Sequence, residues 1–299
     1  MSRPTRRSPA GAAAGAEGAT AALAGPTAPL AGPTPTLAGP TPPLAGSAPA
    51  AAHGTPAGDH EIPAYPDLAY RDVFWADRHY EDRADRIAIR RLLPPTGGRI
   101  VEIGAGYGRL ANEYRGYHEI VLLDASEAHV EAARAQFADE PRISAVLGDA
   151  YHMPLEDGRF DTVVCVRVVH HLTDPGAVFR EFARILRPDG VLVLEFANKR
   201  HLKAIAKHAL RRQDWSPHTL EPFEYRPLHF DRHPVEVRRL LRKSGFAVER
   251  QLTASLFRFP AVSRHVGPGW LAAIERPLQP LLGPFTPGPS VFLRARKTG

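Results

Sequence analysis

The chain has 299 residues, 43% of them apolar, with a formal net charge of +6 and a single cysteine. One cysteine excludes an internal disulfide and a cysteine-rich metal site, and no stretch approaches the roughly 18 consecutive apolar residues of a spanning helix. A reducing, cytoplasmic compartment is the expectation. The charge is uneven: residues 198–299 hold 19 Lys/Arg against 7 Asp/Glu, a net of +12, leaving −6 on the rest. That asymmetry suits nucleic acid, an anionic membrane surface or an acidic substrate, or else an arginine-rich surface with no special partner.

Residues 1–58 are mostly Ala, Gly, Pro and Thr, with four related heptads opening at Leu23, Leu30, Leu37 and Leu44. Proline in every unit forbids a continuous helix, and so few large apolar residues cannot offset the ordering entropy. The segment is predicted to be a disordered tail, and residues 59–299 to be the folded domain. Arg3, Arg6 and Arg7 resemble the start of an export signal, but Glu17 interrupts the stretch after them and no apolar core region exists.

Beyond Arg99 strands and helices alternate. "RIVEI" (99–103) is predicted as a buried strand, 109–116 as a helix, 119–124 as a strand and 126–138 as a helix capped by Ser126. Strands follow at 142–149 and 160–169, then a helix over 174–186 halted by Pro188-Asp189-Gly190, then a strand over 191–197. Short Val/Ile/Leu runs between helices imply a parallel sheet covered on both faces. Ligands of such sheets bind beyond the carboxyl ends of the strands.

"VEIGAGYGR" (101–109) lies at that end of the first strand. No Lys-Ser or Lys-Thr follows, so it is not a phosphate-binding P-loop. Arg109 stands where a dinucleotide fingerprint needs its third glycine, and Glu102 would repel a pyrophosphate. A ligand with a cationic end suits that carboxylate better. Glu102-Ile103-Gly104-Ala105-Gly106-Tyr107-Gly108 resembles the first motif, [DE]-x-G-x-G-x-G, of the class I S-adenosylmethionine-dependent methyltransferases. "FDTVVCVRVVHHLTDPGAVFREFARILRPDGVLVLEF" is similar to the broad type 11 family almost position for position. The resemblance covers residues 98–197 closely, and "LLRKSGFAVERQ" (240–251) and "PSVFLRARK" (289–297) resemble the family's closing antiparallel strands.

It implies an α/β fold: a Rossmann-like, doubly wound, seven-stranded, mostly parallel sheet with an antiparallel final strand. It implies S-adenosyl-L-methionine as cofactor, held by Glu102, Gly104, Ala105, Gly106, Tyr107, Gly108, Asp124, Ala125, Asp149, Ala150 and Val166. Asp124 would accept the ribose hydroxyls as charge-assisted hydrogen bonds and Asp149 would reach the adenine amino group. Methyl transfer is an in-line displacement in which alignment alone supplies much of the catalysis. Where the acceptor is a hydroxyl or amine a base helps, and His170 and His171 are the candidates, with capping of the next loop as their structural alternative. Cys165, in mid-strand, reads as a core residue. No metal is expected: the histidines show no H-E-x-x-H or comparable spacing, and "HFDRH" (229–233), a chance pair, reads as the entry to a helix.

Residues 70–94 are expected to cap the cofactor from the amino-terminal side, and 198–233 and 255–288 to build the acceptor pocket or lid. Trp215, Phe223, Tyr225, Phe257 and Trp270 are its candidate walls. A basic amphipathic helix over 201–212 could track RNA phosphates, or lie on an anionic bilayer through Leu202, Ile205, Ala206 and Leu210. The expected acceptor is a small molecule. The alternatives are RNA or protein methylation, and a non-catalytic cofactor-binding module.

Overall fold

A computed structural model describes residues 75–95, 97–258 and 265–298; the tail over 1–58 and the start of the 70–94 segment lie outside them. The elements in chain order are α1 (His79–Leu92), β1 (Gly97–Ile103), β2 (Tyr117–Asp124), α2 (Glu127–Gln136), β3 (Ile143–Leu147), β4 (Phe160–Cys165), α3 (Pro175–Ile185) and β5 (Leu186–Ala197). There follow α4 (Leu202–Ala209), β6 (Phe223–Arg226), β7 (His229–Asp231), α5 (Pro234–Lys243), β8 (Phe246–Ala254), α6 (Pro268–Leu282) and β9 (Ser290–Lys297).

Seven strands form one sheet in the order β3-β2-β1-β4-β5-β9-β8, with β6 and β7 a separate hairpin. β9 alone runs against its neighbours, pairing antiparallel with both β5 and β8. The seven-stranded, mostly parallel sheet with an antiparallel final strand is thus the observed fold.

Side chains alternate across each strand, so β1 sends Val101 and Ile103 to one face and Ile100 to the other. The first face meets Val178, Phe179, Phe182 and Ile185 of α3 and Val237 and Leu241 of α5; the second meets Ala88, Ile89 and Leu92 of α1 and Ala133 of α2. Burying each such large side chain stabilises the fold by about 1.5–3 kcal/mol. α3 starts where Asp174 Oδ1 accepts from Ala177 N at 3.1 Å, with Pro175 pre-set for the first turn.

Four expectations change. The helix over 109–116 is a single 3₁₀ turn, Ala111–Glu113, because Leu110, Ala111 and Tyr114 are all drawn into the core beneath α1. β4 ends at Cys165 rather than 169, because Arg167 takes φ 62° and breaks the extended run before a 3₁₀ turn at Val169–His171. The 188–190 turn survives inside β5 as an irregularity, with Asp189 at φ 59°, between the pairs Phe160↔Leu186 and Thr162↔Val191. Residues 240–243 close α5, and the strand begins at Phe246.

Candidate functional site

The carboxyl end of β1 runs straight into the glycine loop. Gly104 N and Ala105 N both donate to Leu123 O of β2, at 2.8 and 3.1 Å, which ties the loop to the neighbouring strand. Gly104 and Gly106 take φ 68° and 57°, left-handed values that favour glycine. Their surroundings differ. A Cβ on Gly104 would run into Val168 Cγ2, so packing explains that glycine; a Cβ on Gly106 would meet nothing within 4 Å. Gly106 therefore keeps a stretch of main chain bare towards open space.

The cleft beside it is lined by Trp75, Glu102, Gly104, Ala105, Gly106, Tyr107, Arg109, Val166 and Arg167. Glu102 is buried, and its Oε2 has no hydrogen-bond partner of adequate geometry. Burial raises its carboxyl to about 7, against the opposing pull of the Tyr114 hydroxyl and Arg109. An orphaned buried oxygen facing a cleft is a group short of a donor. A cationic ammonium meets that need; a phosphate does not.

Asp124 closes the loop from β2. Its Oδ2 accepts from Gly106 N at 2.7 Å and its Oδ1 from Ser126 N at 2.9 Å. The His129 ring Nδ1 also stands 3.4 Å from Oδ1, and since an ionised carboxylate offers about four acceptor positions, capacity remains for a hydroxyl. Ala125 follows it in the turn to α2. Asp149, at the end of β3, holds its own turn by accepting from Tyr151 N at 2.8 Å, and Ala150 beside it is buried. Tyr107 and Val166 line the cleft, while Asp124 and Asp149 stand at the neighbouring strand ends.

Over the cleft lies a charged lid that no sequence motif marked. Asp85 of α1, fully buried, accepts from Arg109 Nη2 at 3.2 Å and from Arg167 Nε and Nη2, both at 3.1 Å. Arg109 also reaches Asp82 Oδ1 at 2.5 Å. Burial works against the Asp82 charge, but Arg86 and Arg109 outweigh it and hold its carboxyl below the ordinary value. The Arg109 guanidinium covers the Trp75 ring at 3.9 Å from its centroid, and Arg167 stands 5.5 Å from it. Glu195 Oε2 fixes the strained Arg167 backbone by accepting from its N–H at 2.9 Å. Trp75, Asp82 and Asp85 fall within the 70–94 segment expected to cap the cofactor, an expectation that singled out no residue of it, and nothing in the sequence distinguishes Arg167 from any surface arginine.

His170 and His171 stand just past β4, in a cluster rather than alone. Their rings are 3.9 Å apart, and His229 of β7 packs 4.4 Å from His171, edge to face. His171 Nδ1 lies 3.3 Å from Leu228 O, and Tyr225 sits 5.7 Å from His229. Packing under the β6–β7 hairpin lowers His171 to about 3, with the His229 charge adding to the effect, and lowers His170 and His229 as well. Cys165 is fully buried and its thiol is raised by that burial, as a core residue's would be.

Of the candidate pocket aromatics, Trp215 and Phe223 stack at 4.2 Å at the base of the hairpin, and Phe257 packs against Tyr80 at 6.5 Å. Trp270 stands 73% exposed on the outside of α6 and does not line the cleft. Among the described residues no group of three or more His, Cys, Asp or Glu is placed to hold a metal ion, and no helix is long and apolar enough to cross a membrane.

Residues 101–194 match the family Methyltransf_11, described as a methyltransferase domain. The chain is 31% identical over 182 residues to a probable S-adenosylmethionine-dependent methyltransferase of Mycolicibacterium smegmatis, covering 59% of this chain and 63% of that protein. It is 29% identical over 214 residues to the demethylmenaquinone methyltransferase of Clavibacter sepedonicus, covering 66% and 84%. Several other curated relatives are matched over less than half of their own length. An S-adenosylmethionine-dependent methyltransferase structure from Thermotoga maritima shares the fold, with a TM-score of 0.55 at 21% identity over 77% of this chain and 96% of that one.

Proposed function

We propose that this chain, whose residues 101–194 belong to the class I, type 11 methyltransferases, moves a methyl group from S-adenosyl-L-methionine to a small-molecule acceptor. The observation that carries the cofactor reading is the pair Glu102 and Gly106: an orphaned buried carboxylate oxygen beside a main chain with open space above it. When bound, the cofactor supplies an electrophilic methyl on a sulfonium. Glu102 would hold the cationic amino group, Asp124 the ribose hydroxyls and Asp149 the adenine edge. Gly104, Ala105, Gly106, Tyr107 and Val166 would form the floor and walls, with Ala125 and Ala150 beside the two acids.

The lid has a second consequence. Trp75, Arg109 and Arg167 line the cleft, and Asp85 holds the two guanidiniums in place, an arrangement suited to keeping water from where the methyl would move. Alignment and water exclusion can carry such a displacement with effective molarities worth roughly 7–11 kcal/mol. A ring held near 3 is a weak base at neutral pH. His170 and His171 are therefore proposed to shape the acceptor end, with any proton transfer a minor contribution.

A small acceptor is favoured because the demethylmenaquinone methyltransferase relative, matched over 66% of this chain, acts on one. Calorimetry with S-adenosylmethionine and with S-adenosylhomocysteine tests the cofactor: micromolar binding of both is expected. Gly106→Val should abolish that binding while costing the apo fold only about 1–3 kcal/mol of backbone strain. No binding by the unsubstituted chain overturns the reading.

A further inference from the structure

We infer that the outer face made by α6 and α4 docks on the surface of an anionic phospholipid bilayer. The first observation is that α6 carries apolar side chains on both its faces, with Leu271 and Ala272 buried against Tyr80 and Ala84. Its inner face carries Glu275 and Gln279, both fully buried. Glu275 accepts from Ser255 N at 3.0 Å, from Leu256 N at 2.9 Å and from the Tyr80 hydroxyl. Gln279 Nε2 donates to Ala84 O at 3.0 Å. With these two polar residues taking places on the inner face, the other large apolar side chains of the helix turn outwards.

Trp270, Ile274 and Leu281 recur at steps of four and seven, which puts them on one stripe. Phe285, in the 3₁₀ turn after the helix, is 72% exposed, and Pro277, Pro280 and Pro284 are exposed between them. A surface helix of a soluble domain turns a polar face to water, and a contiguous apolar patch there marks an interaction site.

α4 supplies the charge. Leu202, Ala206 and Leu210 are exposed at steps of four, with Leu202 and Leu210 each 63% so. The adjoining row, also at steps of four, is Lys203, Lys207 and Arg211, all exposed. Residues 198–213 contain no acid, and the one acid over 265–289 is the buried Glu275. The start of α4 adjoins the turn after α6: Leu202 N donates to Pro287 O at 2.9 Å, and Asn198 Nδ2 donates to Thr286 O and Gly288 O, both at 2.8 Å. They meet at the end of β5, where Ala197 pairs with Ser290, the same sheet edge that carries the glycine loop.

An apolar stripe with a cationic margin and no exposed acid is complementary to lipid tails below anionic headgroups. A second copy of the chain would bring the same cations face to face, an unfavourable pairing. RNA phosphates would satisfy the lysines but leave Trp270, Ile274 and Leu281 without a partner.

Flotation of the full chain with vesicles of phosphatidylcholine alone, and with a minority of phosphatidylglycerol added, tests the proposal. The chain should float with the mixed vesicles and much less with the neutral ones. Lys203→Ala with Lys207→Ala should weaken binding to the mixed vesicles by roughly tenfold or more. Trp270→Ser with Phe285→Ser should remove binding to either vesicle; both side chains are exposed, so the melting temperature should hold and prove the variant folded. Three results overturn the docking surface: no flotation with mixed vesicles, flotation indifferent to both double variants, or a dimer by light scattering that the Trp270→Ser variant dissociates. A salt-sensitive RNA gel shift without flotation would give the lysine row to nucleic acid instead. None of these readings depends on methyl transfer.

Discussion

Two corners of one sheet edge treat charge in opposite ways. At the end of β1 and β4, the cleft keeps ionic groups inside and pairs them, with Asp85 fully buried between Arg109 and Arg167. One hairpin away, burial lowers His170, His171 and His229, and repulsion among the rings adds to it for His170 and His171. A fixed ionic lattice preserves its geometry when a charged ligand arrives, because the field is already organised. A neutral, closely packed wall offers shape instead. The contrast fits a charged cofactor on one side and an acceptor held by contact on the other.

The lattice should fail hardest when its centre is removed. Asp85→Ala leaves two arginines facing each other beside Trp75 without their buried partner, and about 3–5 kcal/mol of stability should be lost. Urea unfolding measures it. A loss below about 1 kcal/mol would mean that water already reaches the arginines and that the lid is open. Asp124→Ala acts closer to the ligand. It removes the acceptor for Gly106 N and Ser126 N as well as the proposed ribose contact, and cofactor affinity should fall by about 1.5–3 kcal/mol. Unchanged affinity by calorimetry would sink the ribose role.

Glu102 ties the two kinds of electrostatics together through pH. Burial raises its carboxyl from 4.5 to about 7, so the folded chain keeps a proton that the unfolded chain has released. Stability should therefore fall as pH rises from about 4.5 to about 7 and be flat above, by up to about 3 kcal/mol. A cationic ligand prefers the ionised form, so cofactor affinity should run the other way, weakening as pH drops below about 7. Glu102→Gln should flatten both curves. If it leaves the pH dependence of binding intact, the carboxylate is not the partner of the cofactor's amino group.

How far this was legible from sequence differs between the two corners for a physical reason. Glu102, the glycines, Asp124 and Asp149 sit at strand ends, where topology alone brings them together; a spacing along the chain encodes that. Arg167 and Asp85 are 82 residues apart, and their pairing depends on α1 packing on the sheet face opposite α3 and α5. Composition carries no trace of it. His229 was visible only as half of a chance metal spacing, because the hairpin that folds it over His171 is four residues on one side and three on the other. The helix expected over 109–116 failed because Gly108 and the buried Tyr114 commit that segment to the core. Exposure of Trp270 could not be read from an apolar helix pattern, since Glu275 and Gln279 take places on the buried face of α6 and leave Trp270 outside.

The smallest expected effect falls on the histidines, and it decides between shape and proton transfer. A general base with a pKa tuned to the reaction contributes roughly 10²–10⁴-fold, and its loss removes the acidic limb of the pH–rate profile. A ring lowered to about 3 is neutral across the whole working range, so no limb near pH 6 should originate from it. Once an acceptor is in hand, His171→Ala should lower kcat by less than about tenfold, raise KM, and leave the profile unchanged; His171→Asn, which keeps a polar group towards Leu228 O, should recover most of the loss. A drop of a hundredfold or more with a lost acidic limb would reverse the assignment. It would mean that the acceptor, by entering beside the hairpin, loosens the packing of His229 and restores the ring's basicity, and the neutral corner would then be a property of the empty site alone.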